Sequence, residues 1–293
     1  MKIISYSDLH LEFKHDWSLP RDLDGDVLVL AGDIIVFKDF SPLKRLLDNW
    51  HKPVLFVAGN HEYYTRAPMS GNNAAFKDWL AAELPQVIFL QNEHITIGGV
   101  SFFGGTMWTD MQGGDTAAMR HAALGLNDYR YICKEKVFTP KDSIKLHKNF
   151  VTALKKWLAS KSSGPRVVIT HHAPIASQTS RYLTSPLQPA FVAYDMLPLV
   201  EKYAPDVWIY GHTHECDAQL VHKTKIISNQ LGYPGNQGYE CFGSFDEYGC
   251  MVHCPDRVTT EVKQALLEAD AGDFATDEEM MELDAKWSQY QKV

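Results

Sequence analysis

Asp8, His10, Asp33, Asn60, His61, His171, His172, His212 and His214 are the residues of this 293-residue sequence whose types and spacing suit chemistry. All carry a side-chain oxygen or nitrogen able to hold a cation or move a proton. Each group directly follows a short apolar run: "IISYS", "VLVLAG", "VLFVAG", "VVIT" or "VWIYG". Taken singly the groups say little. An Asp-x-His is ordinarily a turn in which Asp accepts backbone N–H groups, and Gly-Asp after a strand is a common turn. The His-x-His at 212–214 says more, because alternate residues of an extended segment point the same way. Together they are hard to explain as packing: a plain core has no reason to end five apolar runs in nitrogen and oxygen ligands. Gly32, Gly59 and Gly211 precede three of the groups, where a missing Cβ lets the backbone turn sharply.

The ligand count sets the chemistry. Asp8, His10, Asp33, Asn60, His171, His212 and His214 are too many donors for one tetrahedral ion. They suit a pair of divalent ions sharing a carboxylate, about 3.5–4 Å apart, which can clamp the attacking and leaving oxygens of an in-line displacement at phosphorus. Carboxylate, amide and imidazole without thiolate favour Mn, Fe, Zn or Co. Two aspartates against two divalent ions leave the centre positive, so a phosphate ester is the expected substrate and a neutral amide is not.

The elements that must position these groups read as short strands alternating with helices, an α/β layered fold. "KIISYS", "DVLVLAGD", "PVLFVAGN", "VSFFGGT", "RVVITHH" and "DVWIYGHTH" are mostly continuously apolar, as strands buried on both faces are. "SPLKRLLDNW", with Ser41 as expected N-cap and Pro42 first in the helix, "NAAFKDWLAAEL" and "SIKLHKNFVTALKKWLAS" have helical apolar spacing. In such folds ligands gather at the carboxyl ends of the strands. After His214, "AQLVHKTKIISNQ" and "FDEYGCMVHC" each read as a hairpin.

Composition is that of a soluble globular protein, with 45% hydrophobic and 22% charged residues. Residues 1–260 form the expected catalytic domain and 261–293 an acidic, helical C-terminal extension suited to docking on the body or on a protein partner. The extension holds nine acids against three lysines, most of the net charge of −8. The body is then near neutral and lacks the basic footprint expected for long nucleic acid. Five scattered cysteines without a CxxC imply reduced thiols and a cytoplasmic protein, and neither a leader nor a membrane span is expected.

The blocks "SDLHLEF", "LAGDI", "AGNHEYY", "THHAP" and "YGHTH" resemble, in order, the metal-site motifs of the calcineurin-like metallophosphoesterases. The resemblance runs from Asp8 to His214 and excludes the acidic tail. It implies a four-layer α/β/β/α sandwich with two central mixed sheets, and hydrolysis of phosphomonoesters or phosphodiesters by a hydroxide bridging two metals. By position, Asp8, His10 and His214 would hold one metal and Asn60, His171 and His212 the other, with Asp33 bridging. His61 would be the catalytic residue facing the ester. The pattern favours His171 over His172 as ligand. Glu62 would orient an imidazole or make a loop salt bridge.

Two irregular stretches, 109–132 and 174–191, are expected to rise over the metals, with Arg130 or Arg181 meeting a phosphate oxygen. "SNQLGYPGN" would cover the far edge without chemistry of its own. The rival readings are a nuclease or nucleotide phosphodiesterase of the same fold, a lipid-sugar pyrophosphatase, and a non-catalytic scaffold. The first is weakened by the neutral body, the second by "GNHE", and the third by competent residues at every ligand position.

Overall fold

Alternate residues of the buried strands point into different cores, and this builds the molecule in layers. The computed structural model describes residues 1–13, 17–162, 164–235, 238–239 and 244–253. One compact unit spans Met1–Cys254; the expected boundary at 260 and the extension 261–293 lie outside the described residues.

The strands are β1 Lys2–Tyr6, β2 Val27–Ala31, β3 Val54–Val57, β4 Val87–Phe89, β5 Glu93–Ile97, β6 Val100–Gly105, β7 Arg166–Thr170, β8 Val207–Tyr210, β9 Asp217–Val221, β10 Thr224–Ser228, β11 Pro234–Gly235, β12 Gly238–Tyr239 and β13 Cys250–His253. One sheet runs β13-β1-β2-β3-β4, parallel except for β13. The second runs β5-β6-β7-β8-β10-β9, parallel except for its two edge strands.

Ile3, Val27, Val29, Leu55 and Val57 of the first sheet pack against Phe102, Val167, Ile169, Ile209 and Ile227 of the second. Their neighbours face outward. Ile4, Leu28, Leu30 and Phe56 meet Leu43 and Leu46 of the helix Ser41–Leu46, and Phe76 and Leu80 of the helix Met69–Glu83. Phe103, Val168 and Trp208 meet Phe150, Leu154 and Trp157 of the helix Pro140–Ala159. Three apolar layers between four structural layers make an α/β/β/α sandwich, and both faces of each central strand are covered, which is why the sequence runs do not alternate.

Two expectations are corrected. Ser41 does not cap its helix: Phe40 stands at the cap, Ser41 lies inside, and its N–H donates to Asp39 at 2.9 Å. The turn expected in "FDEYGCMVHC" forms, with the Gly249 N–H donating to the Asp246 carbonyl at 3.0 Å, and β13 beyond it pairs antiparallel with β1 and extends the first sheet; residues 240–243 before it lie outside the described residues. Strands β4 and β5 lie in sequence not read as strand; β5 is a half-exposed edge whose polar residues hide its period. The "AQLVHKTKIIS" hairpin forms as expected, as β9 and β10.

Candidate metal centre

The parallel ends of β1, β2 and β3 in one sheet and of β7 and β8 in the other open on the same edge of the sandwich. Asp8, Asp33, Asn60, His171 and His212 leave those ends within three residues and are buried. Turning so abruptly costs backbone strain. Asp8, His10, Asp33, His212 and His214 all have positive φ, 46 to 74°, where non-glycine residues sit at a cost of about 1–3 kcal/mol each. Gly32, at φ 90°, and Gly59 make the crossing possible: a Cβ at Gly32 would lie 2.4 Å from His171 Nδ1, and one at Gly59 2.1 Å from Asp33 Oδ1.

Glu62 holds these turns together. Its two carboxylate oxygens accept the N–H groups of Gly59, Asp33, Ile34 and Ile35 at 2.7, 2.9, 2.8 and 3.2 Å. It therefore neither orients an imidazole nor pairs with a cation, as the sequence suggested; it ties the loop after β3 to the loop after β2. Asp8 links the sheets similarly, accepting the His212 N–H at 3.0 Å.

Around Asp33 the side chains divide into two groups. On one side, His171 Nδ1 donates to the Ala31 carbonyl at 3.0 Å, so Nε2 is left as a lone pair. That lone pair faces Asn60 Oδ1 at 3.0 Å, His212 Nδ1 at 3.1 Å and Asp33 Oδ1 at 3.4 Å. On the other side, His10 Nδ1 is held by Glu12 at 3.1 Å, and its Nε2 faces His214 Nε2 at 3.1 Å and Asp33 Oδ2 at 3.9 Å. His214 Nε2 lies 3.4 Å from Asp8 Oδ1. The His171 lone pair thus faces the Asn60 and Asp33 oxygens, that of His10 faces Asp33, and among the described residues the buried Nε2 of His212 has no hydrogen-bond partner. Such clusters are repulsive unless positive charge enters them. Without a metal the charge is a proton: burial opposes it on His171, but Asp33 outweighs burial and raises the imidazole to about 9. A divalent cation meets the same need, since two ligands at about 2.0–2.2 Å from one ion lie roughly 3–3.5 Å apart. The sets Asp8–His10–His214 and Asp33–His171–His212 each have ligand atoms within 4.8 Å of one another and could hold an ion.

His172 stands apart from Asp33. Its Nδ1 donates to the Thr106 carbonyl at 3.1 Å, and its ring packs 4.2 Å from that of His212. Burial and the neighbouring His171 push it down to about 3, so it stays neutral. His61 lies beside the His10 group, its ring 4.5 Å from that of His10. Its backbone N–H donates to Asp33 Oδ1 at 2.8 Å, and its ring nitrogens meet Glu12 Oε1 and Tyr233 Oη, each at 2.9 Å. Burial opposes charge there, but Asp33 and Glu12 prevail and raise His61 to about 9.

A cleft of about 280 Å³ opens over Asp33, Asn60 and His212, with Leu126, Asn127 and Asp128 on one wall and Arg181, Tyr182 and Phe191 on another. Both stretches therefore border the site, but 109–132 is not irregular: it folds as the helices Met111–Gly114, Thr116–Gly125 and Asp128–Tyr131. The two arginines are separated: Arg181 lines the cleft, whereas Arg130 is exposed, donates to the Leu124 carbonyl at 2.9 Å and is no part of the lining. The structure thus brings Arg181, and not Arg130, to the cleft. Sequence reasoning missed Glu12, Asp128 and Tyr233. Glu12 sits two residues beyond Asp-x-His in the same block, and that proximity was the available signal. Asp128 and Tyr233 had none, because only the fold brings them to residues 68 and 172 positions away.

Residues 1–216 match the calcineurin-like phosphoesterase family, and the chain belongs to it. It is accordingly a metal-dependent hydrolase of phosphate esters. Among known sequences, it is 28% identical to an uncharacterised protein of Acanthamoeba polyphaga mimivirus, covering 80% of this chain and 92% of that one. It is 27% identical to a UPF0046 protein of Caenorhabditis elegans, covering 81% and 72%. Among solved structures, the phosphopantetheinyl hydrolase of Mycobacterium tuberculosis superposes with a TM-score of 0.60 at 19% identity, over 80% of this chain and 90% of that one. That likeness shows the fold. Among the described residues no helix is long and apolar enough to cross a membrane.

Proposed function

We propose that the chain hydrolyses a small phosphate ester at a centre of two divalent cations. One would be held by Asp8, His10 and His214, the other by Asn60, His171 and His212, with Asp33 offering one oxygen to each. The observation that carries this reading is the pair of imidazole lone pairs, on His10 and His171, that face Asp33 from opposite sides, each set by a partner on the ring's other nitrogen. When bound, the cations would supply Lewis-acid charge at the phosphoryl group and activate water.

The chain's own residues do the rest. Burial of Asp8 and Asp33 keeps water from screening the charge at the cleft floor. The size of the cleft suits a small ester, and Arg181 at its wall offers a second positive charge to an anionic substrate. The charged imidazole of His61, held by Glu12, supplies the proton needed by the departing oxygen. Mn, Fe, Zn and Co suit the donor set.

The test is elemental analysis of the protein reconstituted with each metal, alongside hydrolysis of p-nitrophenyl phosphate and bis-p-nitrophenyl phosphate. Two equivalents of metal per chain with turnover of either ester are expected, falling to one equivalent in Asn60→Ala. Protein that takes up no cation and cleaves neither ester overturns the reading.

A further inference from the structure

We propose that Gln230 is the positioning residue that sets His214 for the cation of the Asp8–His10–His214 group. This rests on the two-cation reading above and adds a residue that the reading leaves out.

The stretch "SNQLGYPGN" leaves the end of β10 and runs along the turn that carries Asp8. The Asn229 carbonyl accepts the Ser7 N–H at 3.0 Å, the Ser7 carbonyl accepts the Leu231 N–H at 3.2 Å, and the Asp8 carbonyl accepts the Gly232 N–H at 3.0 Å. Gln230 stands opposite Ser7 in this parallel pairing. The Asn229 side chain secures the same place by donating to the Ser5 carbonyl at 3.0 Å. A segment from the second sheet is thereby fixed to the first.

The Gln230 side chain reaches the loop after β8. Its Oε1 accepts the His214 N–H at 2.6 Å, and its Nε2 donates to Thr213 Oγ1 at 2.9 Å and to the Glu215 carbonyl at 2.8 Å. A peptide N–H only donates and a peptide carbonyl only accepts, so these partners fix which end of the amide faces His214. The grip falls where the backbone is strained. His212 and His214 have φ of 74° and 51°, a region that non-glycine residues keep only when their neighbours hold them there. Gln230 has no exposed surface, so losing its amide leaves a buried donor and a buried acceptor unpaired at that turn.

The same segment meets the rest of the group. Gly232 holds the Asp8 carbonyl, and the Tyr233 ring centroid lies 4.3 Å from that of His10 and 4.5 Å from that of His214. The ligands of the other group take their settings elsewhere: His171 from the Ala31 carbonyl, Asn60 from Asp128, and the His212 N–H from the Asp8 carboxylate. Removing the Gln230 amide should therefore loosen one cation and spare the other.

The test is Mn²⁺ titration of the full chain in two backgrounds. Asn60→Ala is expected to keep only the cation of the Asp8–His10–His214 group, and His10→Ala only the other. Gln230→Met keeps the length of the side chain and removes its amide. Added to Asn60→Ala, it is expected to weaken the remaining Mn²⁺ about 10–100-fold, the range for residues that orient a ligand. Added to His10→Ala, it should leave the remaining Mn²⁺ within about twofold. Equal or greater weakening in His10→Ala would make Gln230 a general support of the fold, and no weakening in Asn60→Ala would detach it from His214; either overturns the proposal. Should Gln230→Met fail to fold, Gln230→Asn, whose amide is one methylene short of the His214 N–H, is titrated against the same expectation. Wild-type chain that binds no Mn²⁺, or either single variant that binds two equivalents or none, would instead refute the two-cation reading itself.

Discussion

The Asn60 side chain donates Nδ2–H to the Asp128 carboxylate at 2.8 Å, and its Oδ1 lies 3.0 Å from His171 Nε2. A carboxylate only accepts, so Asp128 decides which end of the amide faces the cation site. Tyr64 donates to the same Asp128 oxygen at 2.6 Å, which keeps the carboxylate in place from the other side. The buried chain Tyr64–Asp128–Asn60 thus turns a symmetric-looking amide into a one-ended oxygen ligand. In the same way Ala31 sets the tautomer of His171, and Glu12 that of His10.

Asp128→Ala should therefore weaken one cation and not the other. Partners of this kind are worth about 10–100-fold in metal affinity. Metal titration is expected to show one site weakened in that range and the second unchanged. Equal weakening of both sites, or of neither, would count against the role given to Asp128.

Glu62→Gln should cost stability before it costs chemistry. Four backbone N–H groups share two carboxylate oxygens, and an amide replaces one oxygen with a donor, leaving two buried donors unpaired. At about 1–3 kcal/mol each, the loss is roughly 2–6 kcal/mol. Urea denaturation of the metal-free protein measures it, and a change below about 1 kcal/mol would remove Glu62 from its place as the clamp.

The two arginines should behave oppositely. Arg181 lines the cleft while it pairs at 3.7 Å with buried Glu215 and stacks on Tyr182. Arg181→Ala is expected to raise KM for p-nitrophenyl phosphate about tenfold, or ~1.4 kcal/mol. Arg130→Ala should leave kcat/KM within about twofold, because its side chain ends on the Leu124 carbonyl. Steady-state kinetics on both variants decide this, and equal effects would show that Arg181 does not meet the substrate.

Acid sensitivity should have a component outside the candidate ligands. Partial burial raises the Asp195 carboxyl, but the hydrogen bond from His147 Nε2 at 2.8 Å outweighs it and holds the group below its ordinary value. A carboxylate lowered by folding stabilises the protein above its unfolded value of about 3.9, and that stability is lost as pH falls through the folded value. Asp195→Asn should be less stable than wild type at pH 6, and the gap should close toward pH 3. Thermal unfolding in chelator across that range reads it out; a gap that widens in acid contradicts the pairing.

Much of this site was legible because a metal centre needs particular atoms at strand ends, and the chain supplies them next to apolar runs. The ends after Tyr6, Ala31, Val57, Thr170 and Tyr210 were marked by residue type alone. What could not be read were contacts between blocks. Glu62 looked like an imidazole partner because it follows His61, yet its oxygens reach across to the Asp33 turn. Arg130 and Arg181 looked equivalent until packing turned one toward the cleft.

By itself, then, the sequence determined the period of the strands, the burial of both their faces and the inventory of donors, since these follow from local chemistry and apolar patterning. Only the tertiary structure decided which nitrogen of His10 and His171 is free, which end of Asn60 points inward, and that Tyr233 meets His61. Those choices depend on hydrogen-bond partners from distant segments, and such partners exist only once two sheets have closed on one another.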